Sequence, residues 1–202
     1  RSLLNLPEGF SGNYEHHYPA KSNSEFGDAI HAFARGILVA LVDRQYLPAA
    51  DLLSDIYVSG HYVERNFSKS WKYANVGNDF DYLPLTATKA NHLSDGLGVE
   101  PDLEAALELH KRLAALGHSP SMIAVGAAYM FAMGAEHNPD LALEKFEQAR
   151  NAGNSSASIA LGRLIKSGAL TSIPHGALTV EEYYKEAAAS GSLMGMVYLA
   201  RL

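Results

Sequence analysis

Asp51 and Asp55 stand four residues apart, one turn of a helix, so their carboxylates would share a face. Two carboxyl groups placed this way in a cleft can share a proton and divide the roles of acid and base. On an open helix the same pair is a solvated acidic face. Nine histidines raise metal chemistry next. His61, His92, His137 and His175 fall in or beside stretches that separate apolar, helix-like segments, which would set them in a row along one edge. Packed helices lie roughly 8–10 Å apart, whereas zinc ligands sit about 2 Å from a shared ion. A row of this kind is therefore a solvated edge or a pH-sensitive rim, and no metal or cofactor is expected. His16 and His17 are an adjacent pair in a tail-like segment and do not make a site alone.

The usual catalytic signatures are missing. There is no Gly-x-Ser-x-Gly elbow, phosphate-binding loop, dinucleotide glycine fingerprint or His-Glu-x-x-His. The chain has no cysteine, which removes disulfides, thiolate catalysis and cysteine-ligated metals. A formal net charge of -6 over 202 residues argues against a basic groove for nucleic acid. Apolar residues at 48% and charged ones at 19% suit a packed protein and not a disordered polyelectrolyte. The most apolar run, Gly36 to Val42, is bracketed by Arg35 and Asp43 and is far too short to span a bilayer. A non-enzymatic chain without a membrane span is the expectation.

The elements that would carry these residues follow from a rhythm. Gly77, Gly117, Gly153 and Gly191 recur at spacings of 40, 36 and 38 residues, each closing an alanine-rich amphipathic segment. A period in the high thirties marks a repeat array in which each helical hairpin buries its apolar face only against its neighbours. Anchored on those glycines, the first helices superpose Leu53-Ser54, Val125-Gly126, Leu161-Gly162 and Leu199-Ala200, a branched residue followed by a small one. Second helices open at Pro101-Asp102-Leu103 and Pro139-Asp140-Leu141, with proline at the first helical position and the aspartate at the positive end of the dipole. Thr179 with Glu182 is a capping box for the last of them.

Upstream, residues 1–24 have the composition of an extended arm, and Ser24 can cap a helix over about 25–47 with Phe26, Ile30, Phe33, Ile37, Leu38 and Leu41 on one face. The array then runs over 48–202, in units of about 48–77, 78–117, 118–153 and 154–191 with a partial unit at 192–202. Unit two is irregular: Asp81 to Thr86 lacks the Leu-Gly pair and Gly96 falls about one turn late. The arm carries Leu3, Leu4, Leu6, Phe10, Tyr14 and Tyr18 and is expected to pack on the first helices or fill their groove. The recurrent aromatics Tyr57, Trp71, Tyr129, Tyr183 and Tyr184 are expected to pack between helices.

The pattern Ala-x-x-x-Leu-Gly-x-x-Tyr-x-x-Gly, then Asp-x-x-x-Ala, then Ala-Ala-x-x-Gly resembles the Sel1-like repeat, a relative of the tetratricopeptide repeat. Ala157, Leu161, Gly162 and Gly168 carry it, with Ala187, Ala188 and Gly191. Leu53, Tyr57 and Gly60 carry it in the first unit, and Gly126, Tyr129, Asp140, Ala142 and Ala149 in the third. The resemblance implies an all-α fold, a right-handed α-solenoid of antiparallel helix pairs, with the first helices lining the concave surface. It also implies a scaffold or adaptor that captures another protein.

Family members serve bacterial secretion, signalling, envelope assembly and neutralisation of toxic effectors, so an effector-neutralising (immunity) or chaperone-like role is one expectation. The alternative is the non-catalytic repeat region of a larger enzyme or envelope-assembly protein. The cysteine-free chain that begins without Met tilts localisation toward periplasmic or secreted over cytoplasmic.

The residues expected to meet the partner follow from the common register. Asp51, Ile123, Ile159 and Val197 align, then Asp55, Ala127, Arg163 and Arg201, then Ser59, Phe131 and Ser167. Spaced by four, these positions form a stripe on each first helix that changes from acidic to apolar to basic along the array. Asp51, Asp55, Phe131, Arg163 and Arg201 are the candidate contacts.

Overall fold

A computed structural model describes residues 25–77, 79–173 and 176–202, with side chains from residue 27 onward. Among these residues there are ten helices and no strand. Helix α1 (Glu25–Asp43) precedes four hairpins, each a first helix followed by a second. These are α2 (Leu47–Ser59) with α3 (Phe67–Ala74), α4 (Leu83–Asp95) with α5 (Leu103–Ala115), α6 (Ser119–Phe131) with α7 (Pro139–Asn151), and α8 (Ser155–Ser167) with α9 (Val180–Ala189). Helix α10 (Leu193–Leu199) is a fifth first helix.

The array is more regular than its glycines suggest. Helices α2, α4, α6 and α8 all have 13 residues and start at intervals of 36. Pro48, Pro84 and Pro120 stand in the first turn of three of them, where a missing N–H costs nothing. Each of the four is closed by a left-handed residue, Gly60, Gly96, Ala132 and Gly168, again 36 apart. The chain then turns into its second helix through the same bond three times. The N–H groups of Asn66, Asp102 and Asn138 donate to the carbonyls of Tyr57, Leu93 and Tyr129. These three residues are also the N-caps, each side chain accepting from the N–H three residues on.

This register corrects several expectations. Gly96 is not late, and the second unit is as regular as the others. Gly77 does not close a second helix, because α3 has only eight residues and is capped at Asn75. Asp102 is the N-cap and not a first-turn residue, which leaves Pro101 outside α5. The capping box of Thr179 and Glu182 is formed in full. Helix α1 ends at Asp43, and a turn with Gln45 at φ 65° leads into α2.

The face of α1 expected to be buried is covered only toward its C-terminal end. Ile30, Phe33 and Ile37 are exposed, while Leu38, Leu41 and Val42 are half-buried in the helix that packs on α2. Phe26 lies outside the residues whose side chains are described, as do the arm over 1–24 and its His16-His17 pair.

First helices pack on one another along the array, α2 on α4, α6 on α8 and α8 on α10. That places them on the inner, shorter arc, with the second helices behind. The core runs between the layers. Its largest cluster is Ala142, Phe146, Leu161, Leu164 and Tyr183, and a smaller one holds Leu107, Val125 and Ala128. Each hairpin has a crossing point where a small first-helix residue faces a second-helix residue. At Gly126 an added Cβ would come within 2.5 Å of the Phe146 ring, and at Gly162 within 2.5 Å of the Tyr184 ring. The same register places Ser54 with Ala74 and Ala90 with His110. The first-helix residue shrinks as its partner grows.

Candidate functional site

The inner face is built from the outward positions of the first helices, which the 36-residue register fixes. They read Asp51, Asp55 and Ser59 on α2, then Ala87, Asn91 and Asp95 on α4. They continue as Ile123, Ala127 and Phe131 on α6, Ile159, Arg163 and Ser167 on α8, and Val197 on α10 with Arg201 just beyond it. The regular second unit extends the acidic end by Asp95, a residue the glycine spacing had hidden. The spacing of Pro48, Pro84 and Pro120 was the signal that places it.

The five candidate contacts do not meet in one place. Asp51 is half-buried and accepts a hydrogen bond from the Thr88 hydroxyl at 2.7 Å, which ties α2 to α4. Its carboxylate is committed to that link, and no second carboxyl shares it. Asp55 is exposed on the same helix. Phe131 is exposed at the end of α6. Arg163 and Arg201 are exposed at the far end of the array.

Of the five, Arg163 borders a cavity of about 360 Å³, with Met130, Lys166, Ser167, Tyr184 and Tyr198. Tyr184 reaches it because Gly162 leaves its ring room, and Tyr198 stacks on that ring with centroids 5.3 Å apart. Burial raises the Tyr184 phenol above its ordinary range, Tyr198 adds to the rise, and Arg163 opposes it.

A second cavity, of about 100 Å³, lies between α4 and α6, where Asn91, Ser94 and His110 are its polar walls among small and aliphatic ones. His110 Nδ1 meets the Ser121 hydroxyl at 3.0 Å, and His118 Nδ1 meets the same hydroxyl at 2.8 Å. Burial, with His118 beside it, pushes the His110 imidazole down to about 4, so it is neutral at pH 7. This neutral pair was not foreseen, since neither histidine belongs to the expected row.

The row itself does not form. His92 is buried inside α4, donating from Nδ1 to the Thr88 carbonyl at 2.8 Å, with Nε2 2.6 Å from the Ser70 hydroxyl, which also lies 2.9 Å from the Ser54 carbonyl. His61 and His137 are exposed in loops, and His175 lies outside the described residues. Among the described residues no three His, Asp or Glu side chains are grouped to hold a metal ion, and no helix is long and apolar enough to cross a membrane.

The aromatics pack between helices. Tyr57 stacks on Tyr73 and Trp71 lies against His92, while Tyr129 packs against both core clusters. Tyr183 donates to Glu147 Oε1 at 2.6 Å.

The repeat geometry meets a known family at this point. The family model described as Sel1 repeat matches residues 47–75, 90–118 and 119–154. The chain carries Sel1 repeats. The matched segments coincide with α2–α3, the last six residues of α4 with α5, and α6–α7.

Solved structures agree on the fold. A Sel1 repeat protein from Oxalobacter formigenes is similar with a TM-score of 0.73 at 19% identity, over 83% of this chain and 66% of that one. A protective antigen of uropathogenic Escherichia coli with an SLR fold is similar with a TM-score of 0.65 at 22% identity, over 83% of this chain and 36% of that one. Among curated proteins, chitin synthase regulatory factor 1 of Schizosaccharomyces pombe is 27% identical over 139 residues, 61% of this chain and 30% of the relative. The Sel1 array described here thus spans less than a third of that relative's length.

Proposed function

We propose that the chain is a non-catalytic protein-binding scaffold whose inner face captures a partner polypeptide. The observation that carries this reading is the stripe on the first helices, acidic at α2 and α4, apolar at α6 and basic at α8 and beyond. An inner face with chemistry graded by repeat is what selective recognition of one polypeptide requires. Asp55 and Arg163 are the exposed ends of that gradient, with Phe131 between them and Arg201 beyond. Asp51 acts indirectly, by holding α2 against α4. Within this reading the partner is an effector to be neutralised or a client to be chaperoned.

A second reading is the repeat region of a larger protein, an enzyme or an envelope-assembly factor. The 30% and 36% coverage of two relatives favours it. Affinity capture with mass spectrometry, run on the wild type and an Asp55→Arg, Arg163→Asp double variant, tests the scaffold. One dominant partner lost in the variant supports the inner face. A partner retained by both moves the site to the loops or the arm, and absence of any specific partner sinks the scaffold reading.

A further inference from the structure

Along most of the inner face neighbouring first helices pack on one another, α2 on α4, α6 on α8 and α8 on α10. Helices α4 and α6 do not close in that way, and a slot of about 100 Å³ opens between them. Asn91 and Ser94 of α4 line one side, and Ala124 and Ala127 of α6 line the other. Ala106 and His110 of the buried face of α5 form its bottom. Asn91 and Ala127 are also positions of the graded stripe, so the slot opens onto the face that meets the partner.

His110 is the buried polar side chain of this slot, only 7% exposed. Its Nδ1 is engaged by the Ser121 hydroxyl, and its Nε2 makes no hydrogen bond within the chain. That nitrogen is not sealed off. Among the described residues the Tyr184 hydroxyl alone is both shut from water and unpartnered. The open space beside His110 is the slot, so Nε2 reaches it. A side chain that filled the slot without hydrogen bonding would strip Nε2 of water and leave it single, which is costly.

Ser121 narrows the choice further. It has one proton to give and meets two imidazoles, His110 at 3.0 Å and His118 at 2.8 Å. One Nδ1 accepts that proton and the other donates to the hydroxyl oxygen. Exchange between the two arrangements moves the hydrogen of the neutral His110 ring from one nitrogen to the other. Nε2 therefore faces the slot as a lone pair in one and as an N–H in the other. A carboxylate only accepts, and Asp95 lies close enough for its field to reach His110 and oppose a second negative charge. An ammonium or guanidinium only donates, and no carboxylate lines the slot to balance it. A side-chain amide does both on separate atoms, which leaves further donors and lone pairs for Asn91 and Ser94.

We propose that this slot seats the side-chain amide of one glutamine or asparagine presented by the captured partner. The proposal rests on the partner-capture reading and names what the partner inserts. The aliphatic stem of that residue lies against Ala106, Ala124 and Ala127, and its amide meets His110 Nε2 at the bottom. The test is selection from a random peptide library on the wild-type chain, followed by titration of a synthetic selected peptide. Enriched peptides are expected to share a glutamine or asparagine. Its replacement by leucine in the peptide is expected to weaken binding about tenfold. Ala127→Leu, which fills the slot from α6, is expected to weaken it at least as much. By NMR of the chain with isotope-labelled histidine, the His110 Nε2 resonance is expected to shift with the selected peptide and not with its leucine form.

Enriched peptides that tolerate the leucine change and leave the His110 resonance in place overturn the amide seat. If they still lose binding to the Asp55→Arg, Arg163→Asp double variant, the inner-face capture reading stands without it. Peptides that depend instead on a shared charged or apolar residue also overturn the seat and leave capture standing. No enriched peptide counts against both. The peptide change needs no variant of the chain, so a folding defect in Ala127→Leu leaves the test decisive.

Discussion

At the junction of the first two hairpins, hydroxyls and an imidazole far from water hold the repeats together. Ser54, Ser70 and His92 are all at or below 2% exposure, and the two hydroxyls and His92 Nε2 meet at 2.6 to 2.8 Å. At the junction of the last two, charged groups near the rim do the same work. Arg150 of α7 grips Glu186 of α9 with contacts of 2.7 to 3.1 Å, and Ser158 of α8 donates to the same carboxylate at 2.9 Å. The ionic groups keep 27% and 37% of their side-chain surface in water. A buried hydrogen-bond network loses the full desolvation of any group left single, whereas a half-wet ion pair is cushioned by solvent and salt. The same repeat therefore has a sensitive junction and a tolerant one.

The crossing points sharpen this contrast most strongly. Gly162→Val should cost about 3 kcal/mol, because its branched side chain meets the Tyr184 ring where even a Cβ stands at 2.5 Å. Urea unfolding of the single variant and of Gly162→Val with Tyr184→Ala checks it. The double variant should lose less than the sum of the two single changes. Full additivity would mean the two residues do not share space.

His110 comes next and acts through pH. Unfolded, its imidazole takes a proton near 6.5, and folded it resists until about 4. Stability is complete above 6.5 and falls as pH drops toward 4, by about 2–3 kcal/mol across the window. His110→Phe combined with Ala90→Gly copies the Phe146 and Gly126 crossing and should flatten this part of the profile. An unchanged slope would assign it to other groups.

Ser70→Ala is smaller. It leaves His92 Nε2 without its hydrogen-bond partner in a buried site and should cost about 1–2 kcal/mol by the same unfolding measurement. A loss below a few tenths would mean that Ser54 swings over to replace it.

The helical solenoid was legible because caps and small residues are local signals. Gly60, Gly168, Thr179 with Glu182, and the Leu161-Gly162 pair each announce their element within a few residues. The phase was harder to read. Gly77 looked like a closing glycine, but α3 is short, so that anchor misplaced unit two and put His92 in a loop. Pro48, Pro84 and Pro120 recorded the true 36-residue period in plain sight.

The candidate face was legible as a stripe, since spacing by four is local too. Its cavity was not, because Tyr184 owes its depth to a missing Cβ on another helix. The exposed face of α1 shows the same limit from the other side. Ile30, Phe33 and Ile37 read as one buried stripe with Leu38 and Leu41, and only the packing reveals that the later two are the ones half-buried where α1 meets α2.

The smallest expected effect lies at the ionic junction. Arg150→Met keeps the aliphatic stem and removes the grip on Glu186, and partial exposure limits the cost to about 0.5–1 kcal/mol near pH 7. Its pH dependence is more telling than its size. Hydrogen bonding to Arg150 holds the Glu186 carboxyl below the ordinary 4.5, against the opposing effect of burial, with Ser158 assisting. A carboxyl depressed in the folded state stabilises fully above 4.5 and loses that contribution as pH falls through its lower folded value. The wild type should therefore show an acid limb below about 4.5 that Arg150→Met loses in part, while the His110 limb between 6.5 and 4 stays in place. Measured together, the two limbs separate the wet junction from the buried His110 site. If Arg150→Met instead costs as much as Ser70→Ala, the half-exposed pair is shielded better than its surface suggests, and the contrast between the two junctions fails.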